Sequence, residues 1–163
     1  MAETPAAKSE GKTLVHATCV AVGRVGVLLR GPPGSGKSDL ALRLIDGGAM
    51  LVADDQVALE RSGEDLVARA PASIAGHLEV RGLGPIEVGH RAAVPIRLVI
   101  DLVAADRVER LPEPRRCRMH GVVLPLLELD PFAASTAAKV RLAVRRVAAD
   151  IMTGDDGGRE PRD

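Results

Sequence analysis

Residues 31–38 read Gly-Pro-Pro-Gly-Ser-Gly-Lys-Ser, and this stretch decides the fold. It fits every fixed position of the pattern G-x-x-x-x-G-K-[ST], which forms phosphate-binding loops between a strand and a helix. The glycines let successive N–H groups point into one concavity, and the following helix adds the positive end of its dipole. Lys37 offers a compact cation to the outer phosphates, and the Ser38 hydroxyl suits Mg²⁺. We therefore predict that a nucleoside triphosphate binds at Gly31, Pro32, Pro33, Gly34, Ser35, Gly36, Lys37 and Ser38.

The segments beside the loop have the required character. Residues 25–30 form an apolar run, predicted to pair as a hairpin with a strand over residues 14–22. Residues 37–46 place apolar side chains at helical spacing before Gly47 and Gly48. The alternative is a glycine-rich turn that merely joins a strand to a helix, and it leaves the complete pattern unexplained.

Composition limits the fold and the partners. The 163 residues suffice for one domain, and Phe132 is the only aromatic residue, so an aliphatic core is expected. That composition favours a mostly parallel sheet covered by helices. Net charge is zero, which gives no general attraction to nucleic acid or an anionic membrane. The two cysteines have no metal-site spacing, and no signal pattern or membrane-length apolar run occurs, so a cytoplasmic protein is expected.

The remaining segments complete an α/β pattern. Residues 13–152 are predicted to fold, and the small and polar residues at 1–12 and 153–163 are predicted to be disordered tails. A strand over 49–53 ends on Asp54 and Asp55. Further predicted elements are a strand pair over 57–70, an interrupted glycine-rich stretch over 78–88, a strand over 96–103, an apolar run over 122–129 broken by Pro125, and a helix over 133–152 with an apolar stripe of Val140, Val144, Val147 and Ile151.

The acidic pair follows a buried strand, where ligands collect in open α/β sheets. Carboxylates there can hold a metal and accept a proton. Successive strand residues face opposite ways, so one of Asp54 and Asp55 should face the phosphate and the other should support it. A solvated turn is the alternative. His16 is predicted to lie on the strand preceding the loop. If His16 meets Asp55, its charge would stabilise the carboxylate, but a lone strand histidine is more often structural.

Two further segments carry candidate site residues. Residues 79–84 read Glu-Val-Arg-Gly-Leu-Gly, where Glu79 suits Mg²⁺ and Arg81 suits a phosphate, unless the stretch is an ordinary tight loop. Five arginines lie around Pro112 and Pro114. A solvated loop is the usual explanation of such a run, and an arginine that neutralises charge during phosphoryl transfer is the functional one.

Four stretches together resemble the HPr kinase/phosphorylase family. They are residues 15–17, residues 31–42 reading GPPGSGKSDLAL, residues 51–55 reading LVADD, and residues 78–88 reading LEVRGLGPIEV. The resemblance implies a P-loop kinase core related to phosphoenolpyruvate carboxykinase, with a mixed sheet and flanking helices, commonly assembled as a hexamer. It also implies an ATP- and Mg²⁺-dependent serine kinase whose partner is HPr, a phosphocarrier of the bacterial sugar phosphotransferase system.

The resemblance also implies residue roles. Asp55 would accept the proton, with His16 and Lys37 as catalytic partners. Ser38 and Glu79 would be Mg²⁺ ligands, and Asp54 is a further metal candidate. The family's later arginine lies between an acidic residue and a leucine, which selects Arg110.

The departures from the family pattern set the alternatives. A short form of the family is expected, with the C-terminal kinase domain and without the usual N-terminal domain. The stretch between Glu79 and Arg110 is short, and the basic Pro-Gly-Arg-Asn segment linked to dephosphorylation has no equivalent near residues 129–132. Kinase activity is therefore predicted, and the reverse phosphorolysis is expected to be weak or absent. The alternatives are a small-molecule P-loop kinase, for which no lid or base pocket is recognisable, and a nucleotide-sensing module, which would be expected to lack Lys37 or Asp55.

Overall fold

The computed structural model describes residues 12–153. The predicted tails therefore lie outside the described residues except for Lys12 and Thr153, which belong to the first strand and the last helix. The strands are β1 (Lys12–Val15), β2 (Ala17–Val22), β3 (Val25–Arg30), β4 (Met50–Ala53), β5 (Val57–Ser62), β6 (Asp65–Arg69), β7 (His77–Val80), β8 (Gly84–Glu87), β9 (Ala93–Leu102), β10 (Arg115–Met119) and β11 (Val122–Leu129). The helices are α1 (Lys37–Asp46) and α2 (Thr136–Thr153), with short 3₁₀ turns at Ala72–Ile74 and Ala105–Arg107.

Nine strands form one mixed sheet, and β7 and β8 form a separate hairpin. The main order is β1-β5-β6-β9-β3-β2-β4. One edge of β9 pairs with β3, while the opposite edge pairs first with β6 and then with β11. The mixed sheet with flanking helices is confirmed. The expectation of a mostly parallel sheet is wrong. Two strand pairings are parallel, β9 with β3 and β9 with β11, and the other seven are antiparallel.

The two faces of β3 enter different halves of the core. Val27 and Leu29 pack with α1 and α2, whereas Leu28 packs with the antiparallel strands of the other face. Helices therefore cover one face and curled strands cover the other, which explains why an aliphatic composition did not require a parallel sheet. In α2 the predicted stripe holds at Val140, Val144 and Val147, but Ile151 is 52% exposed near the helix end.

The chain between residues 14 and 22 is not one strand as predicted. It bends at His16, so that β1 pairs with β5 while β2 pairs with β3 and β4. His16 therefore lies between two strands, and β3 directly precedes the loop. Residues 78–88 form the β7–β8 hairpin, and Pro125 is accommodated within β11 opposite Arg116. Among residues 12–153, neither helix has the length and apolar character needed to cross a membrane.

Candidate active site

Strand direction brings the predicted site residues to one edge of the sheet. β3, β9 and β11 run parallel, and β4 runs the same way because β2 is antiparallel to both β3 and β4. The carboxyl ends of these four strands therefore meet the amino end of β2. Gly31 follows β3, Asp54 follows β4, Asp130 follows β11, and His16 precedes β2. Segments far apart in sequence consequently line one cleft.

The loop over residues 31–38 joins β3 to α1 and has an open, curled backbone. Gly34 and Gly36 have φ angles of 80° and 96°, in the region that glycine adopts without a steric penalty. Gly36 is also the residue before α1, and no side chain of the described residues caps the helix there. The first N–H groups of α1 are thus left for a ligand, and a helix N-terminus favours an anion.

Gly36 is required for a second reason, since the turn after β11 packs on it. A Cβ at position 36 would lie 3.0 Å from Cε1 of Phe132 and 3.1 Å from Cβ of Pro131. Gly31 is similarly crowded, because a Cβ there would lie 2.4 Å from Ser35 Oγ. Ser35 Oγ is buried and has no hydrogen-bond partner within residues 12–153. A polar ligand can relieve the cost of such a hydroxyl, and the site thus fits a phosphate-bearing group.

Lys37 lies in the loop as a buried cation, with 6% of its surface exposed. Its Nζ donates to the carbonyl oxygens of Gly31 and Pro32 at 2.7 and 3.0 Å. Burial lowers the pKa of Lys37, and the carboxylates of Asp55 and Asp54 oppose that shift. The ammonium has three donors, and two of them are used here, so the third remains for a phosphate oxygen.

Asp54 links three segments from a buried position, with 6% of its surface exposed. Its Oδ1 accepts hydrogen bonds from Thr18 Oγ1 at 3.0 Å and Ser38 Oγ at 2.7 Å, and its Oδ2 accepts one from the Glu79 N–H at 3.0 Å. Because the Ser38 proton points to Asp54, the lone pairs of the Ser38 oxygen remain for another partner. The Asp54 carboxylate thereby ties β2, α1 and β7 together around the loop.

The oxygen atoms at this point fit Mg²⁺. Ser38 and Glu79 both line the cleft, and Asp54 fixes each of them through a hydrogen bond. No group of three or more His, Cys, Asp or Glu side chains in the described part of the chain is arranged to hold a metal ion. Mg²⁺ usually takes one or two protein oxygens and completes its octahedron with waters and substrate phosphates, so Ser38 and Glu79 would suffice to hold it.

Asp55 adopts a different position from its neighbour. The φ angle of Asp55 is 68°, and the Gln56 N–H donates to the Asp54 carbonyl oxygen at 2.8 Å. Asp55 is therefore the central residue of a γ-turn with a positive φ angle. The turn brings Asp55 Oδ1 to 3.3 Å from Nδ1 of His16. The two side chains are 64% and 45% exposed, so an incoming group can reach both. The structure thus divides the acidic pair into a buried network residue and an exposed residue paired with histidine.

The cleft that these residues surround has a volume of about 560 Å³. The predicted residues that line it are Pro33, Gly34, Gly36, Lys37, Ser38, Asp55 and Glu79, together with the phosphate candidate Arg81. Asp39, Leu42, Val80 and Phe132 line it as well. Arg110 does not: it is exposed in the segment between the 3₁₀ turn and β10. The neighbouring Arg107 and Arg115 face Glu128 instead.

The sequence prediction missed Thr18 and Phe132. Thr18 is fully buried, donates to Asp54 and accepts the Asp55 N–H at 3.3 Å, so it positions both aspartates. A polar residue two positions beyond His16 in an apolar strand was the available signal. Phe132 is the only aromatic residue of the chain, and it lines the cleft. Its uniqueness in the sequence was the signal there.

Comparisons with known proteins point to one family. The family model described as the HPr serine kinase C-terminal domain matches residues 8–129. The HPr kinase/phosphorylase of Chlorobium limicola is 40% identical over 138 residues, covering 77% of this chain and 42% of the relative. That of Geobacillus thermodenitrificans is 41% identical over 129 residues, covering 72% and 42%.

A solved structure matches as well. The HPr(Ser) kinase/phosphatase from Coxiella burnetii superposes with a TM-score of 0.77 at 25% identity, covering 86% of this chain and 99% of that chain. The chain spans about two fifths of the length of the curated relatives it matches. The matched residues include the loop, the acidic pair and the β7–β8 hairpin. The chain belongs to the HPr serine kinase C-terminal domain family.

Proposed function

We propose that this domain transfers the γ-phosphoryl group of Mg²⁺-bound ATP to a serine of an HPr-type phosphocarrier protein. The observation that carries the proposal is the exposed His16–Asp55 pair beside a phosphate-binding loop, with Oδ1 and Nδ1 3.3 Å apart. A general base must be within reach of the hydroxyl that it deprotonates, and both side chains are accessible from solvent. Family membership supplies the substrate class.

Phosphate binding falls to the loop and Lys37. The N–H groups of residues 34–38 would donate to the phosphate oxygens, and the free donor of Lys37 would reach the outer phosphates. Ser38 and Glu79 would hold Mg²⁺, with Asp54 mainly orienting them because both of its oxygens already accept hydrogen bonds. When bound, Mg²⁺ supplies charge neutralisation to the phosphates.

Proton transfer falls to Asp55. Its carboxylate would accept the serine proton, while His16 holds the carboxylate in place. Positioning and electrostatics provide most of the catalysis in phosphoryl transfer, so these groups suffice for the step. Charge neutralisation by an arginine completes the proposal. Arg110 is assigned by family pattern, and Arg81 is the arginine that lines the cleft.

The wider assignment rests on the family. We propose a cytoplasmic protein whose folded unit is residues 13–152, assembled as a homo-oligomer, with HPr as its partner and without nucleic-acid or membrane partners. The zero net charge supports the last two points. The reverse reaction, in which phosphate attacks phosphoserine-HPr, is proposed to be weak because the basic segment linked to it has no equivalent at residues 129–132.

The deciding experiment tests whether Asp55 is the general base. The protein is incubated with labelled ATP, Mg²⁺ and HPr, and phosphoserine is mapped. Asp55→Asn should bind ATP normally but lose about 10²–10⁴-fold in phosphorylation rate, since the general base is removed. A near-normal rate in Asp55→Asn would contradict the assignment of the base. Tight ATP binding without phosphorylation of any protein serine by the unmodified chain would favour the nucleotide-sensing module.

A further inference from the structure

Phe132 is an exposed aromatic residue in the wall of the cleft. Its side chain is 67% exposed, although exposure of a large apolar ring to water is unfavourable. It is the only Phe in a chain without Trp or Tyr. Its ring lies on the last glycine of the phosphate-binding loop, as the short distance from a Cβ at Gly36 to Cε1 shows. One part of the ring therefore contacts the loop, and much of the rest faces the cleft.

The turn that carries Phe132 is held by hydrogen bonds on both sides. Asp130 Oδ1 accepts the Phe132 N–H at 3.0 Å, and Thr136 Oγ1 donates to the Asp130 carbonyl. The guanidinium of Arg43 donates to the carbonyl oxygens on either side of Phe132, those of Pro131 and Ala133. The ring is thus presented by a fixed backbone rather than by a loose loop, which lowers the entropic cost of binding against it.

The contacts divide the cleft into two regions. Asp55, Ser38 and Glu79 are linked through His16 or Asp54 and form the region where the reacting phosphate must lie if Asp55 is the base. Asp39 and Phe132 are linked through Arg43, which pairs with Asp39 at 3.0 Å and binds the Phe132 turn. Both regions line the same cleft, so a nucleotide whose γ-phosphate occupied the first would have the second available for its nucleoside.

We propose that Phe132 is the stacking platform for the base of the bound nucleotide, an inference that rests on the proposed function. A flat apolar ring fixed beside the loop offers its face to a heteroaromatic base. Stacking uses the flat face that every base has and requires no hydrogen bond to the edge of the base. The ring therefore binds any base and does not select one purine over another. The residue acts in binding the nucleoside, and the phosphates are bound by the loop.

The test compares ATP with inorganic tripolyphosphate, both with Mg²⁺, by calorimetric titration. Tripolyphosphate engages the loop but has no base. Phe132→Ala and Phe132→Leu should weaken ATP binding about 10- to 100-fold, the range for loss of one base–aromatic stack, and leave tripolyphosphate affinity unchanged. Leu142→Ala removes a side chain that is 62% exposed on α2 and outside the cleft, so it should change neither affinity.

Phe132→Trp provides a second readout. The variant would contain a single tryptophan and no tyrosine, so its emission reports this position alone. ATP should change that emission more strongly at saturation than tripolyphosphate does, because only ATP brings a base onto the ring. This measurement also covers the case in which Phe132→Ala fails to fold, because the aromatic ring is retained.

Each outcome has a distinct meaning. Equal loss of ATP and tripolyphosphate affinity would show that the ring supports the loop, and it would overturn the inference. Unchanged ATP affinity with slower HPr phosphorylation would place the ring against the partner protein and would also overturn it. If the unmodified chain binds neither ligand, the proposed function fails with it. If that chain binds ATP and Phe132→Ala binds it equally well, only the stacking inference fails.

Discussion

Replacing Asp54 tests the hydrogen-bond network that organises the site. Asp54 is 6% exposed, and its carboxylate accepts three hydrogen bonds. Asp54→Ala leaves the fully buried Thr18 hydroxyl without its acceptor, which lowers the free energy of unfolding by about 2 kcal/mol. Ser38 and Glu79 border the cleft and regain water, so each lost bond costs about 1 kcal/mol. We therefore expect Asp54→Ala to lower the free energy of unfolding by about 4 kcal/mol.

Asp54→Asn should be milder. An amide can turn its Oδ1 to the Glu79 N–H and its Nδ2 to the hydroxyl oxygens of Ser38 and Thr18, because hydroxyls accept as well as donate. Charge-assisted bonds then become neutral ones of about half the strength, and the Thr18 proton loses its acceptor. The free energy of unfolding should fall by about 2 kcal/mol.

The same substitution should impair magnesium binding more than folding. With Asn at position 54, Nδ2 occupies one of the two lone pairs of the Ser38 oxygen, and the Ser38 proton turns toward the cleft, where it opposes Mg²⁺. The variant should therefore bind ATP with a weaker dependence on Mg²⁺ than the unmodified chain. Urea unfolding followed by circular dichroism gives the free energies of unfolding. ATP titrations with and without Mg²⁺ show how strongly ATP binding depends on Mg²⁺.

A matched control is Asp65→Asn, which removes the same charge from a partly exposed pair with Arg97 and should cost no more than about 1 kcal/mol. Equal destabilisation by Asp54→Asn and Asp54→Ala would refute the proposed amide geometry. Normal Mg²⁺ dependence in Asp54→Asn would refute the link from Asp54 through Ser38 to the metal.

Two further substitutions and two further conditions test the remaining parts. Lys37→Met should weaken ATP binding about 10- to 100-fold, the loss of one charged hydrogen bond. Because burial lowers the pKa of Lys37 in the folded state, the folded chain binds fewer protons between that pKa and the unfolded value of 10.5, so stability should rise with pH across this window. Urea midpoints should show this rise in the unmodified chain and not in Lys37→Met. Arg110→Ala should slow phosphoserine formation about 10²-fold without changing ATP affinity, since Arg110 lies outside the cleft, and an unchanged rate would leave Arg81 as the arginine to test. Phosphoserine-HPr with millimolar phosphate should release pyrophosphate slowly, and rapid release would contradict the role given to the missing basic segment.

Local features of the sequence predicted the centre of the site well. The loop and α1 depend on glycine spacing, a 3.6-residue period and Gly47, all within a few residues of one another, and α1 begins and ends where expected. The strand before Asp54 was likewise predicted from its apolar run, and the β5–β6 pair from its turn residues. The spacing alone could not decide whether His16 meets Asp55, and the structure places them in contact.

Non-local pairing explains what the sequence did not predict. The bend at His16 arises because β1 pairs with β5, more than forty residues away, while β2 joins the other half of the sheet. Thr18 acquires its role only when Asp54 is brought beside it by the β2–β4 pairing. Likewise, Phe132 reaches the cleft because β11 ends at the same sheet edge as β3. No local pattern encodes those meetings.

The double pairing of β9 has a consequence for how the domain opens. Its first residues pair with β6 and its last with β11, while the other edge is bonded to β3 along most of its length. Neither half of the sheet can therefore detach without exposing the central residues of this strand, among them Leu98, Val99 and Ile100, which are all at most 1% exposed. Amide hydrogen exchange in the middle of β9 should proceed only through global unfolding, whereas the separate β7–β8 hairpin can exchange through local opening. The middle of β9 should thus exchange more slowly than the β7–β8 hairpin, within which the Glu79 N–H bonded to Asp54 should be among the slower amides.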